Sequence, residues 1–488
     1  MPVDTSAPPA APPRPMVVVT VLALAGIVVS LMQTLVIPLV PQLPTLLHAD
    51  TGDATWAVTV TLLAGAVATP VMGRLGDMYG KRRMLLVSLA MLAVGSTVAA
   101  LSSSLAPMIV GRALQGLAAG VIPLGISIMR DELPRERLGS AIALMSASLG
   151  VGGALGLPLA ALLAERTNWH VLFWVSAGLG AVVAVLVALL VPPAPARTGG
   201  RFDVVGAVGL SAALVCLLLG VSKGADWGWG SGTTIVLFVA AAVLLVAWGA
   251  WELSHGQPLV DLRTTIRRQV LLTNLASMVF GFAMFAQSLV LPQLLQAPTA
   301  TGYGLGRSML AAGLVMAPSG LVMMAVAPLS SRITASRGPK VTLMTGALIV
   351  AIGYGAGIVL MSAAWQLVVV SAVIGAGIGL AYGALPALIM GAVPTSETAA
   401  ANGLNTLMRS IGTSVASAVA GVILAQLTMT LGPATLPTQA AFRVVLAVAA
   451  AAAVVALGVA AFLPGRGRAA GQNLARAGAE QRSPDRVG

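Results

Sequence analysis

The sequence predicts an all-α membrane protein of about fourteen transmembrane helices, arranged as two six-helix pseudo-repeats with a two-helix insert. Three observations predict it. Of 488 residues, 58% are hydrophobic and only 9% charged, against roughly 25% charged in a soluble domain. Apolar runs of roughly 20 residues, enough to span a bilayer as a helix, recur from near residue 16 to near residue 463. The charges between them alternate, with Arg and Lys crowding every second loop. Lipid offers no partner to open backbone groups, so such runs must be helices packed into a bundle.

Residues 1–15 are Pro/Ala-rich with one Arg and are expected to form a disordered cytoplasmic leader. The run 16–40 is too long for a signal-peptide core and lacks a small-x-small cleavage site, so it is expected to stay as the first helix. Spans at 54–75, 84–104, 106–130, 139–164 and 170–192 complete an N-terminal half, 16–192. Spans at 204–222 and 232–254 form the insert, within 193–269. The C-terminal half, 270–463, holds spans at 270–296, 308–330, 341–362, 367–392, 403–427 and 441–463, and 464–488 is expected to be a cytoplasmic tail. Trp169, Trp227, Trp229, Trp251 and Trp365 fall near span ends, where an amphipathic ring suits the membrane interface.

The two halves repeat. Pro70, Arg74, Leu75 and Gly80 recur as Pro328, Arg332, Ile333 and Gly338 at one constant offset. Pro134 before the fifth span parallels Pro394 before the thirteenth, and Pro41-Gln42-Leu43 parallels Pro292-Gln293-Leu294. Transporters commonly carry such repeats, with the substrate site at their interface near the bilayer midplane.

The net charge of +12 would suit a nucleic-acid partner, but its distribution points to topology instead. With the N-terminus inside, the inner loops hold Lys81, Arg82, Arg83, Arg130, Arg135, Arg137, Arg197, Arg201, Arg263, Arg267, Arg268, Arg332, Arg337 and Lys340. The outer loops hold only Arg166, Lys223, Arg307 and Arg443. This is the positive-inside asymmetry, and it puts both termini in the cytoplasm with no nucleic acid implied. The preference for Arg over Lys and the abundance of Ala, Gly and Val suit a bacterial cell membrane. Cys216 is the only cysteine and can form no internal disulfide. His48, His170 and His255 lack metal-ligand spacing. No phosphate loop and no catalytic constellation stands in the sequence, so neither an enzyme nor a cofactor is implied.

Four segments carry candidate function. The first is Gly73-Arg74-Leu75-Gly76-Asp77-Met78-Tyr79-Gly80-Lys81-Arg82-Arg83, read as a turn between the second and third spans. Gly73 and Gly80 permit tight turns and close helix approach. Asp77 can accept hydrogen bonds at the positive end of a neighbouring helix, and Lys81, Arg82 and Arg83 are expected to anchor the turn at the cytoplasmic surface. The second copy has Ala335 at the position of Asp77, so one such contact is expected. In the fourth span, Arg112, Gln115, Gly116, Ala119 and Pro123 share a face. Arg112 lies roughly 9 Å deep at ~1.5 Å per residue, where an arginine costs ~3 kcal/mol or more unless it faces a polar interior. Gly152, Gly156 and Pro158 on the fifth span combine close packing with a helix kink. Asn402, Asn405, Thr406, Arg409, Thr413 and Ser417 form a stripe on the thirteenth span, and Asn274, Ser277, Met278, Gly281, Phe285 and Ser288 one on the ninth.

The Gly-x-x-x-Asp-x-x-Gly-Lys-Arg-Arg segment resembles the signature of the major facilitator superfamily. The Arg112-x-x-Gln115-Gly116 pattern is similar to the second signature of its proton-coupled drug antiporters. Gly152, Gly156 and Pro158 resemble their Gly-x-x-x-Gly-Pro motif, with the proline one position late. Fourteen helices match the drug:proton antiporter branch, which usually carries an acid in the first helix where this chain has Met32. The resemblance implies export of lipophilic small molecules driven by proton entry, a monomer in the lipid bilayer, and two halves rocking about a central site. It makes the Asp77 segment a latch between halves. Gln33, Arg112, Gln115, Asn274, Asn405 and Arg409 would be the site's polar contacts, on helices 1, 4, 9 and 13, with helices 5 and 12 completing its wall. No Asp or Glu lies in mid-span, so the expected substrates are neutral or anionic. Asp131, Glu132 and Glu136 beside Arg130, Arg135 and Arg137 are expected to be a structural ion-pair network. The alternatives are a metabolite facilitator or importer and, from another class, a receptor or enzyme on the same fold.

Overall fold

The computed structural model describes residues 15–36, 39, 43–49, 51–54, 56–193, 200–431 and 434–464. The expected leader, most of the tail, Pro41, Gln42 and Arg197 lie outside the described residues. Among the described residues fourteen helices are long and apolar enough to cross a membrane. They are α1 (Pro15–Thr34), α2 (Trp56–Tyr79), α3 (Lys81–Ala100), α4 (Leu105–Glu132), α5 (Arg135–Arg166), α6 (His170–Leu190) and α7 (Val204–Trp227). The rest are α8 (Gly232–Ser254), α9 (Arg268–Gln296), α10 (Met309–Arg337), α11 (Pro339–Val359), α12 (Ala364–Met390), α13 (Thr398–Gln426) and α14 (Gln439–Ala461).

Two expected boundaries move, each for a local reason, and one element is new. The helix expected over 16–40 stops at Thr34, because Pro38 disfavours helix in the residues before it. The expected turn over residues 73–83 is helix on both sides of Gly80, whose φ of 108° makes the corner alone. Gly73 therefore serves close approach rather than turning: a Cβ there would come within 2.6 Å of the Ala399 carbonyl oxygen. Beyond α13, residues Thr428–Leu431 and Ala434–Pro437 pair as an antiparallel hairpin absent from the sequence reading. Tyr303 ties it to the loop after α9 by donating to the Pro437 carbonyl.

The halves are built alike. Gly338, with φ of 92°, makes the same corner between α10 and α11 that Gly80 makes between α2 and α3. In each half a pair of glycines lets the third and fourth helices cross with backbones in contact. A Cβ on Gly95 would meet the Gly111 carbonyl at 2.6 Å, and one on Gly346 the Gly377 carbonyl at 2.7 Å. Separate apolar cores fill the N-terminal and C-terminal halves. The halves meet along two seams, α2 against α13 and α5 against α10. The insert helices α7 and α8 pack on each other, and α7 lies over the α2–α13 seam. Leu63, Leu210, Leu214, Leu404 and Leu407 form a third core there.

Candidate functional site

Two sites lie between the halves. The first is at the end of the bundle that carries Arg82, Arg130, Arg332 and Lys340, the basic end. The Asp77 carboxylate accepts from the backbone N–H groups of Ala400 at 2.9 Å and Ala399 at 3.3 Å. Those are unsatisfied donors in the first turn of α13, where the helix dipole favours an anion. Asp77 is 2% exposed, so the contact is shielded from solvent and salt. Arg130 on α4 crosses to the same corner, donating to the Val393 carbonyl at 3.2 Å, the Pro394 carbonyl at 3.4 Å and the Thr398 hydroxyl. The N-terminal half thus grips the C-terminal half at one helix start with one acid and one base.

Two expectations about this corner change. Lys81 does not anchor at a surface: it is 1% exposed and bridges Asp131 at 2.6 Å and Asp77 at 3.9 Å. Burial leaves an ammonium no water, so it takes both carboxylates as partners. The expected ion-pair network of residues 130–137 is replaced accordingly, because Asp131 pairs with Lys81 and Arg130 turns to the other half. Arg82 reaches the Ala188 carbonyl at the end of α6, and Arg83 is exposed.

The second site is a cavity of about 150 Å³ between the halves, walled by α1, α2, α4, α5, α9, α12 and α13. Of the six polar residues expected there, Gln33 and Arg409 line it. Arg409 stacks its guanidinium 4.8 Å from the Tyr382 ring and reaches the Thr406 hydroxyl at 3.5 Å. Among the described residues no carboxylate pairs with it. Thr406, Ser410, Thr413 and Ser414 surround it with hydroxyls.

The other four lie behind the wall, each taken up by a neighbouring helix. Arg112 is 1% exposed and donates to the Ala57 carbonyl at 2.9 Å, the Met32 carbonyl at 3.4 Å and Gln115 Oε1 at 2.7 Å. Gln115 donates on to Ser96 at 2.7 Å. This chain of bonds ties α4 to α1, α2 and α3 without a carboxylate. Asn405 donates to Asn274 at 2.9 Å, joining α13 to α9 inside the C-terminal half. Gly152 and Gly156 seat α5 against α1, where a Cβ on Gly152 would meet the Ile27 carbonyl at 2.5 Å. Pro158 lies within a continuous α5 and packs about 3.1 Å from where a Gly313 Cβ would stand, across the α5–α10 seam.

Sequence reasoning missed helix 2 as a wall, through Thr61, Leu62 and Gly65, and it missed Tyr382 and Met284. The Tyr382 hydroxyl donates to Met284 Sδ at 3.3 Å, fixing the ring beneath Arg409. One signal was available, since Tyr382 is one of only four tyrosines and sits mid-span.

This chain resembles several known proteins. It is 29% identical over 427 residues to the tetracenomycin C resistance and export protein of Streptomyces glaucescens, covering 84% of this chain and 76% of that one. It is 30% identical over 400 residues to the probable actinorhodin transporter of Streptomyces coelicolor, covering 77% and 67%. It is also 30% identical over 318 residues to the multidrug export protein EmrB of Haemophilus influenzae, covering 64% and 60%. The fold matches that of the human organic anion transporter MFSD10 with a TM-score of 0.64 at 15% identity, covering 93% of this chain and 100% of that one. A model of the Major Facilitator Superfamily matches residues 22–417 and, again, 275–482. With fourteen membrane-length helices, two like halves and the Asp77 corner between them, this multi-pass membrane protein belongs to the Major Facilitator Superfamily.

Proposed function

We propose that the protein is a secondary active exporter of lipophilic small molecules, neutral or anionic, working by alternating access and proton antiport in a bacterial cell membrane. The observation that carries the substrate class is Arg409, a guanidinium on the cavity wall with a ring beneath it and no carboxylate beside it. A cation entering there would lose its hydration and meet like charge. An anion would gain a charge-assisted hydrogen bond in a low-dielectric site. Met284, Leu62, Ile122 and Leu149 supply an adaptable apolar wall. Export as the direction draws on the relatives named for resistance and export.

On this reading Asp77 and Arg130 hold the cytoplasmic side shut, with both termini on that side, and the carrier acts as a monomer. The domains follow the halves and insert, 16–192, 270–463 and 193–269. The test is transport in proteoliposomes under an imposed proton gradient, with matched neutral, anionic and cationic forms of one lipophilic scaffold. Gradient-dependent movement of the neutral and anionic forms is the expected result. Selective, proton-driven movement of the cationic form would overturn it.

A further inference from the structure

The central cavity has no carboxylate on its wall, but two carboxylates meet elsewhere, in the insert. Asp203 precedes α7 and Glu252 lies in the last turn of α8, 5% and 3% exposed. They converge on Gly206: a Cβ built on that glycine would strike Oδ2 of Asp203 and Oε1 of Glu252 together. Asp203 caps α7, accepting from the Gly206 N–H at 2.8 Å, and accepts from Trp251 Nε1 at 3.1 and 3.2 Å. Glu252 Oε2 accepts from the Val260 N–H at 3.4 Å. Its carboxylate also draws on the Leu259 N–H and the Trp248 indole, while Oε1 is buried on the side of Asp203.

Among the described residues no base forms an ion pair with either carboxylate. The nearest ion pairs of the bundle, Lys81 with Asp77 and Asp131 and Lys223 with Asp226, involve neither of them. None of the charged neighbours among the described residues bridges either carboxylate. Arg263 donates to the Leu253 carbonyl at 3.2 Å, and His255 stacks on Trp251 at 5.2 Å. Gln257 takes the backbone of Arg201, and Asp261 caps its own turn. From α2 and from the turn before α13, Arg74 and Glu397 face the linker groove beside the pair. Two carboxylates that share one buried site repel when both are ionised, which favours a proton on one of them.

We infer that Glu252, buried against the Asp203 carboxylate, binds a proton, and that this proton holds the segment after α8 in place beside the Asp77 corner. That segment, Gly256 to Thr265, lies in a groove of about 220 Å³ with Arg74, Ala400 and Leu404. Leu259 and Val260 join the seam core with Leu404 and Leu407. Ala400 is a donor to Asp77. Loss of the proton sets two anions against each other across Gly206. The start of α7 and the end of α8 then move apart and draw Val260 away from α13. The site is at the basic end, so its proton exchanges with that side of the membrane. Acid there keeps the corner clamped and alkali loosens it. The use of this clamp in transport rests on the exporter reading; the proton site itself does not.

The test is an infrared pH titration of the purified full-length protein in detergent, together with amide exchange of residues 256–262. The wild type is expected to show a protonated-carboxyl stretch that disappears on raising the pH, with the protection factors of 256–262, corrected for the intrinsic base-catalysed rate, falling over the same range. Glu252→Gln removes the stretch and leaves the protection factors of 256–262 constant over that range. Asp203→Asn, which keeps the capping oxygen, moves the midpoint down by about one pH unit or more, a roughly tenfold loss of proton affinity, because the neighbouring negative charge is gone. If Glu252→Gln does not fold, the shift in Asp203→Asn carries the test. A stretch missing from the wild type, unchanged by Glu252→Gln, or unmoved in Asp203→Asn overturns the inference. No substrate or gradient is needed, so failure here leaves the exporter reading standing, and failure of transport leaves this one.

Discussion

Arg112 and Arg409 look the same in the sequence: each is an arginine about two turns into an apolar helix, in a polar stripe. The folded protein treats them differently. Arg112 spends its donors on carbonyls of α1 and α2 and on Gln115, whereas Arg409 has one long bond to Thr406 and a ring beneath it. What separates them is the acceptors that other helices supply, and no stripe on one helix displays those. Arg409→Gln is accordingly expected to cut transport of anionic substrates by roughly 10- to 100-fold, the value of one charged hydrogen bond of ~1.5–3 kcal/mol, with neutral substrates changed less than about threefold. Uptake assays on paired substrates check this, and an equal loss for both classes would mean the residue is structural. Arg112→Leu is expected to fail differently. It leaves Gln115 Oε1 without its donor and removes the ties to α1 and α2, so the loss is in folded yield and thermal stability, by ~2–4 kcal/mol, read by size exclusion and melting in detergent. A well-folded, inactive Arg112→Leu protein would instead place Arg112 in transport.

At the scale of elements, the segment 73–83 shows where sequence and structure part. Its chemistry was legible, since an acid at the end of α2 facing a helix start is what Asp77 and the α13 amides form. Its geometry was not. Gly73, Gly76 and Gly80 look alike in the chain, yet only Gly80 has positive φ, because only there does the chain turn while the others admit α13 and Leu124. Asp77→Asn keeps an oxygen but loses the charge that answers the α13 dipole, and its amide brings donors toward donors. It is expected to slow transport at least about tenfold, equivalent to ~1.4 kcal/mol, with membrane expression near wild type. Full transport by that variant would end the latch role. A different element contact tests the packing of the cavity wall. α9 and α13 cross so closely at Gly281 and Gly412 that a Cβ on either would strike the carbonyl of Arg409 or Met278. Gly281→Val is expected to destabilise by ~1–3 kcal/mol through overpacking and to displace Arg409, whereas Gly421→Ala, with open space around it, is expected to be neutral. Melting temperatures of the two variants decide it.

For the whole molecule, the repeat was legible because the corner at Gly80 and the corner at Gly338 need the same residues in the same register. The placing of the insert was not, since the middles of α7 and α8 are apolar on every side and nothing in their own sequence names the α2–α13 seam that α7 covers. Alternating access requires the other seam, α5 against α10, to part at the basic end during each cycle. That seam can be locked. A Cβ on Gly139 would stand 3.9 Å from the Cβ of Ser331, within the ~3.5–4.5 Å that a disulfide needs. With Cys216→Ser removing the only native thiol, the pair Gly139→Cys and Ser331→Cys is expected to form a disulfide on oxidation. The oxidised carrier should be arrested with its basic end shut, and a reductant should restore transport. Each single cysteine should transport under both conditions, which separates locking from mere substitution. A cross-linked protein, verified by mass spectrometry, that still transported at the reduced rate would mean that the α5–α10 seam stays closed while substrate passes, and the rocking of the two halves about the Arg409 cavity would have to be given up.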